Sequence, residues 1–223
     1  MTKRMILPIL FGLLGVAILI WLGTWQLQRL EWKLAILADI DARITAAPVE
    51  LPKTADPEQD RFLPVRAKGV LRPGIEVLSS VKQVGAGHRV IDVLYMGDRR
   101  VLVDRGFLPI QTDPGPRPDT IVTVTGNLHW PDEVDKYTPA PEPEKGNWFA
   151  RDIPAISGYL GTEPLLIIAR DITPANPAIM PLPVDSSGIP NDHLQYAITW
   201  FSLAVVWLGM TALLLWRIRR GTE

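Results

Sequence analysis

Met5–Leu27, MILPILFGLLGVAILIWLGTWQL, and Leu194–Trp216, LQYAITWFSLAVVWLGMTALLLW, contain no Asp, Glu, Lys or Arg. At about 1.5 Å per residue each makes a helix of about 34 Å, enough to cross a hydrocarbon layer of about 30 Å. Lipid offers no hydrogen-bond partner, so a single helix is the form in which such a run satisfies its own backbone. Two runs flanking the rest of a 223-residue chain predict a membrane α+β protein. Its function should lie in the segment between the runs, at the mouth of the helix pair, or in both.

The flanking charges set an orientation. Lys3 and Arg4 precede the first run, and Arg217, Arg219 and Arg220 follow the second. Basic residues stay on the cytoplasmic side. The expected organisation is a cytoplasmic tail over 1–4, a span over 5–27, a periplasmic domain over 28–193, a span over 194–216 and a cytoplasmic tail over 217–223. A signal peptide is the competing reading of the N-terminus. The first run is too long for one, and Gly23-Thr24-Trp25-Gln26 lacks a small-x-small cleavage site. An uncleaved anchor is therefore expected. No Arg- and Ser-rich amphipathic leader precedes it, which points to a bacterial plasma (inner) membrane.

Composition excludes several chemistries. There is no cysteine, hence no disulfide, no thiolate copper site, no C-x-x-C redox pair and no covalent haem attachment. Five of the 23 Lys and Arg and one of the 24 Asp and Glu lie in the tails, leaving 28–193 about five units negative. That balance argues against nucleic acid as a partner.

Between the spans the pattern changes twice. Leu27, Leu30, Leu34, Leu37 and Ile40 or Ile44 recur at helical spacing, so 28–45 reads as an amphipathic continuation of the first helix, ended by Pro48 and Pro52. Pro52–Asp60 reads as disordered. Short β-branched and alternating runs follow: 65–71, a Pro73-Gly74 turn, 75–78, a hairpin of 89–96 and 100–104 about Gly97-Asp98, then 121–128 and 165–169. Asp152 and Pro154 open a short helix over 153–160. Strands at this spacing predict a mainly antiparallel small barrel or sandwich. The proline-heavy stretches 109–118 and 131–143 read as stiff loops, and 174–190 as an extended return to the membrane.

The chain has three histidines. His88 reads as a solvated turn residue and His129 as a strand-end surface or structural residue. No H-x-x-x-H, H-E-x-x-H, G-x-S-x-G or Gly-rich phosphate loop occurs, so no enzymatic constellation stands out. His193 opens the second apolar run at the outer interface. At helical spacing His193, Tyr196, Trp200, Ala204 and Trp207 form one stripe. A rim imidazole over aromatic residues suits a flat, apolar, iron-bearing ring. The same residue types suit a plain interfacial anchor facing headgroups. The first run reaches the same interface with Trp25, Gln26, Arg29 and Lys33. The last three share a face, where the basic groups either meet the propionates of a porphyrin or snorkel to water. Gly12, Gly15 and Gly23 would admit a close second helix.

These segments resemble the Surfeit locus protein 1 family of cytochrome c oxidase assembly factors. Gly23, Trp25, Gln26, Arg29 and Lys33 match its first-span motif. Asn191, His193, Tyr196, Ala197, Thr199, Trp200 and Phe201 match its second. Val103-Asp104-Arg105-Gly106-Phe107-Leu108-Pro109 is similar to a third, with Phe107 in place of the usual Trp. Asp192 stands where many members carry a second Asn. The resemblance implies a non-enzymatic factor that binds haem a at the outer membrane interface and assists its insertion into oxidase subunit I. It implies His193 as the axial ligand of the haem iron, with Tyr196, Trp200, Trp25 and Gln26 around the site and Arg29 at the propionates. Cytochrome c oxidase subunit I, haem a synthase and the lipid bilayer are the implied partners. The alternative is a membrane-tethered scaffold or chaperone for subunit I that binds no cofactor.

Overall fold

The computed structural model describes residues 3–220, with side chains over 5–220; the predicted tails over 1–2 and 221–223 lie outside the described residues. The chain divides into two compact units, one of residues up to Asp39 with Ser186 onward, the other Ile40–Asp185.

The first unit is a helix pair. α1 runs unbroken over Lys3–Thr45 and α3 over His193–Arg220, and both are long and apolar enough to cross a membrane. At 43 residues, α1 is about 65 Å long, roughly twice a hydrocarbon layer, so the continuation predicted over 28–45 is one helix with the span. The three glycines of the first span mark an antiparallel seam. A Cβ on Gly12 would meet the Thr211 side chain, one on Gly15 the Trp207 indole, and one on Gly23 the Phe201 ring. Ala197 and Ala204 are buried in the same seam. Small residues let two backbones approach, and van der Waals packing then holds them where no hydrophobic drive exists between helices. Many of the other apolar side chains, Leu7, Leu14, Val205 and Leu213 among them, are exposed, as lipid contact requires.

The second unit is a barrel. Its strands are β1 (Val49–Glu50), β2 (Pro64–Val81), β3 (Gly85–Met96), β4 (Arg99–Pro109), β5 (Thr120–His129) and β6 (Leu166–Thr173), with helix α2 (Ile153–Leu160) before the last. The sheet order is β1-β2-β3-β4-β6-β5, and β2 also pairs β5. Five strands therefore close on themselves in Greek-key order, with β1 appended in parallel to β2. Closure removes the free edges that invite aggregation. Of the ring's pairings only β4–β6 is parallel, so the mainly antiparallel expectation holds and its barrel alternative is the one realised.

Closure depends on one long strand. Sequence reading placed a turn at Pro73-Gly74, but β2 continues through both residues with a register shift between Arg72 and Ile75. Pro73 has no N–H to offer a ladder and sits at the bulge, as the ring requires. Gly74 donates its N–H to Asp92 Oδ1 at 3.1 Å, and any side chain there would strike the Ile91 carbonyl. β2 pairs with β5 over Pro64–Leu71 and with β3 from Val70 to Val81, so the bulge bends the strand just beyond the point where it changes partner.

Two apolar clusters fill the unit. Val65, Leu94, Val101, Val103, Val124 and Ile167 form one; Ile91, Leu102, Ile153, Ile156, Leu166 and Ile168 form the other. Adjacent residues of β4 and β6 thus bury on opposite faces, because α2 covers what would otherwise be an outer surface. That explains the uninterrupted apolar runs of these strands. α2 begins where the sequence places it: the Asp152 carboxylate accepts from Ala155 N at 3.1 Å, and Gly161 caps the other end in the left-handed region.

Three local expectations change. Pro52–Asp60 is an ordered turn in which Asp56 Oδ1 accepts from Glu58 N and Gln59 N and Asp60 Oδ2 accepts from Asp56 N. His88 lies in β3 opposite Leu108 rather than in a turn; the neighbouring glycines extend the strand instead of breaking it. The segment after β6 is extended only in part, with turns closed by Ile179 N on Asn176 O and Ile189 N on Ser186 O, and its Met180 pairs with Phe107 through two backbone hydrogen bonds of 2.8 Å. Gly106, at φ 121°, lies against the Met180 carbonyl, so only glycine serves there.

Asn127, fully buried on β5, donates through Nδ2 to Ile44 O and Phe62 O, both at 2.9 Å. It anchors the C-terminal turn of α1 to the barrel wall. Asn127→Leu removes the only side-chain donor these two carbonyls share, and should lower stability by about 2–4 kcal/mol; circular-dichroism melting of the chain in detergent checks this.

Candidate functional site

His193, the first residue of α3, sits across the helix seam from Gln26, the last small-to-medium residue of the α1 contact face. His193 Nδ1 and Gln26 Oε1 are 2.8 Å apart. The amide oxygen can only accept, so Nδ1 carries a proton, and it is the neutral ring's Nε2 that is left with a lone pair. Gln26 is 9 % exposed, and this bond uses its carbonyl. The arrangement is that of a ligand imidazole whose second nitrogen is fixed by a neighbouring acceptor. Beside it, Asn191 Oδ1 is buried with no hydrogen-bond partner, as is Trp207 Nε1 deeper in the pair.

The other predicted site residues are placed around this pair. Trp200 is half-buried on α3, one turn from Ala197 and Ala204 in the seam. Tyr196 is not in the seam: it is 55 % exposed, while its neighbour Ala197 is buried there. A tyrosine there would hold the helices apart, whereas alanine lets Gly23 receive Phe201. Trp25 is 43 % exposed, beside Gln26 but turned from the seam. Arg29 is exposed on the next turn with its guanidinium 4.7 Å from the Trp32 ring centre, a cation–π contact. Lys33 is half-buried on the following turn. The structure thus joins His193 with Gln26, keeps Trp200 at the seam edge, and leaves Tyr196, Trp25 and Arg29 on the outer surface of the pair.

The barrel holds polar clusters that sequence reading did not single out. Asp104, fully buried, takes Arg89 at 2.9 and 2.5 Å and Arg151 at 3.1 Å. Arg151 also grips Glu133. Burial disfavours the charge on Glu133, but its bonds to Arg151 outweigh this and hold its carboxyl below the usual range. His129 stacks on Phe62 with ring centres 5.3 Å apart. Burial, then the charges of Arg151 and Arg61, lower its pKa to about 4. The structural reading of His129 stands, and the signal for the cluster was an acid, Asp104, inside an apolar strand. Among the described residues no group of three or more His, Cys, Asp or Glu could hold a metal ion.

Two terminal spans around a Greek-key barrel, with an anchored imidazole where the spans' ends meet, define a two-pass membrane protein whose candidate site lies at the helix mouth. The model of the SURF1 family matches residues 13–205. The chain is 30 % identical to Surfeit locus protein 1 of Rattus norvegicus over 82 % of its own length and 67 % of the relative. It is 30 % identical to Surfeit locus protein 1 of Homo sapiens, over 82 % and 69 %. A SURF1-like protein of Monosiga brevicollis is 28 % identical over 90 % of the chain and 85 % of the relative. The chain belongs to the SURF1 family, a family of cytochrome c oxidase assembly factors. The matched region contains the glycine seam from Gly15 onward, Gln26 and His193.

The seam makes a direct prediction. The chain has no cysteine, so a Gln26→Cys, His193→Cys pair is its only thiol pair and should be bridged by a short thiol cross-linker in membranes. Adding Gly23→Leu, which forces the Phe201 ring away, should abolish the bridge on a gel.

A second prediction concerns acid. His129 titrates near 6.5 when unfolded and near 4 when folded. The unfolded chain therefore binds the proton first, and stability falls as pH drops from about 6.5 to about 4, then levels. After allowance for its partial exposure the loss is roughly 2 kcal/mol. Urea unfolding across this window should show that extra loss in the unaltered chain and not in His129→Gln.

Proposed function

We propose that this chain is an assembly factor for a haem-copper, aa3-type cytochrome c oxidase, that its cargo is haem a, and that it hands the cargo to subunit I at the outer face of the membrane. Family membership supports the oxidase, and the Gln26–His193 hydrogen bond carries the cargo assignment. An imidazole with Nδ1 engaged offers Nε2 as an axial donor to haem iron. The residues present fit such a group: a fixed nitrogen lone pair at the helix mouth, Trp200 beside it, exposed aromatic faces on Tyr196 and Trp25, and Arg29 in reach of the interface for a propionate. Gln26 orients the ring, Trp200 and Trp25 exclude water from the apolar faces, and Arg29 holds an anionic edge near the aqueous boundary.

In this reading the protein is a carrier, not an enzyme. A half-open site suits a carrier, because a fully enclosed one would release its cargo slowly. The basic residues after α3, Arg217, Arg219 and Arg220, support a reading in which that end faces the cytoplasm of a bacterium and, with two spans, the barrel faces the periplasm. Haem a synthase is the source of the cargo, and subunit I its acceptor.

A second reading draws on the exposure of Tyr196 and Trp25. Both rings lie where interfacial anchors lie, as in a scaffold that docks subunit I without cofactor. One experiment separates the two. The chain purified from cells that make haem a should show a Soret band. His193→Ala should lose most of it while inserting normally in membranes, and Gln26→Leu should retain binding at several-fold lower affinity, because the ring is no longer fixed. A well-folded protein with no Soret absorption would establish the scaffold instead.

A further inference from the structure

The barrel contains a cavity of about 460 Å³ that the helix-mouth site does not use. It lies between the β2 bulge at Pro73, the loop 113–118 and the segment 174–178. Six of its lining residues are prolines, and Asn176 ties the two loops together by donating through Nδ2 to Pro114 O at 3.2 Å. The walls are thus apolar and stiff, and the volume is that of a small-molecule site. Four charged residues are in the lining, Asp92 and Arg105 from barrel strands and Asp113 and Arg117 from the loop.

Arg105 is the informative one. Its side chain is only 10 % exposed, and its Nη1 donates to Asp92 Oδ2 at 2.7 Å. Its Nε is buried and has no hydrogen-bond partner. Other arginines of this domain show what that edge is for. Arg89 places Nε and Nη2 on Asp104, Arg99 places the same two atoms on Glu163, and Arg151 places them on Glu133. Arg99 spreads these two atoms over both oxygens of Glu163, the parallel two-bond geometry that the guanidinium fork favours, while Arg151 sets both on one oxygen of Glu133. No described residue supplies a carboxylate to the corresponding edge of Arg105. Asp92, 1 % exposed, is already shared: Oδ2 serves Arg105, while Oδ1 accepts from Gly74 N and lies 3.4 Å from Arg117 Nη1. Arg117 spends Nη2 on Glu76 at 2.8 Å. Asp113, at the exposed rim, accepts from Gly115 N. The nearby acids are committed elsewhere, Asp171 to Thr173 among them, so no described carboxylate reaches Arg105 Nε.

We propose that this cavity binds a small organic carboxylate, held on the Nε–Nη2 edge of Arg105 with its apolar body against the proline walls. A neutral analogue of the same shape satisfies neither the charge nor the second bond, so the site discriminates by ionised oxygen rather than by size. The site is independent of haem and lies wholly within residues 71–178.

The test uses the whole chain in phosphatidylcholine nanodiscs, with benzoate and benzamide as probes in calorimetric titrations at neutral pH. Benzoate is expected to bind and benzamide not. Arg105→Lys keeps a cation beside Asp92 but loses the fork, and should weaken benzoate by about tenfold or more while the melting temperature is retained. A short acetylated peptide ending in a free carboxylate, set against its amide, distinguishes the source: binding of benzoate together with the peptide acid shows that a partner's terminal carboxylate also qualifies, and binding of benzoate alone restricts the site to free molecules. Equal heats for benzoate and benzamide, no benzoate binding up to millimolar concentration, or an unchanged benzoate affinity in folded Arg105→Lys would each overturn the proposal. The benzoate–benzamide comparison decides the matter even if the variant does not fold.

Discussion

Two helices in lipid gain nothing from hiding apolar surface from one another, because the acyl chains are as apolar as they are. What holds such a pair is close contact, and close contact needs side chains small enough to admit it. Gly12, Gly15 and Gly23 receive Thr211, Trp207 and Phe201, with Ala197 and Ala204 in the same seam. That seam sets the axial register of α3 on α1. The register in turn puts His193 level with Gln26, and their hydrogen bond fixes the imidazole tautomer. The only chemically distinctive group of the helix pair is therefore positioned by residues that carry no chemistry of their own.

The barrel solves a different problem. It has no disulfide to stabilise it and must rely on packing and on buried charge satisfied within the wall. Asp104 and Asp92 both lie on barrel strands, fully buried, and each is surrounded by arginine guanidinium groups. Buried ion pairs of this kind are weak sources of net stability, since desolvation offsets most of the Coulomb gain. They are severe constraints on geometry, because any rearrangement that separates the partners leaves a charge in an apolar medium. Asp92 shows the consequence. It holds the Gly74 amide at the β2 bulge as well as Arg105, and so couples the bend that closes the ring to the charged lining of the cavity.

Much of the architecture could be read directly. Both spans, the helical extension to residue 45, the Gly97-Asp98 hairpin, and the capped helix after Asp152 follow from local rules: hydropathy length, helical spacing, turn glycine and a side-chain cap. The family motifs brought His193 and Gln26 forward together, although they are 167 positions apart. Where reading failed, the cause was partnership between distant segments. Pro73-Gly74 looks like a turn until Asp92 is present to take the Gly74 amide and β3 and β5 are present to occupy the two halves of β2. Pro52–Asp60 looks disordered because its order comes from two aspartates, Asp56 and Asp60, accepting from backbone amides. Helical spacing put Tyr196 on one stripe with His193 and Ala204, and only the close approach of α1 shows that Ala197 is the buried neighbour while Tyr196 is exposed.

The amino-acid sequence alone determined that two helices cross lipid, that a strand-rich domain separates them, and which family the motifs resemble. Each of these rests on interactions within one turn, one hairpin or one apolar run, whose energies depend on near neighbours. Tertiary structure alone decided that the strands close into a ring through a bulge, that His193 donates to Gln26, that Asp104 and Asp92 are buried among arginines, and that the buried Nε of Arg105 is left without an acceptor. Those outcomes depend on contacts between residues far apart in the chain, and no local periodicity encodes which distant group will arrive to satisfy a given charge or amide.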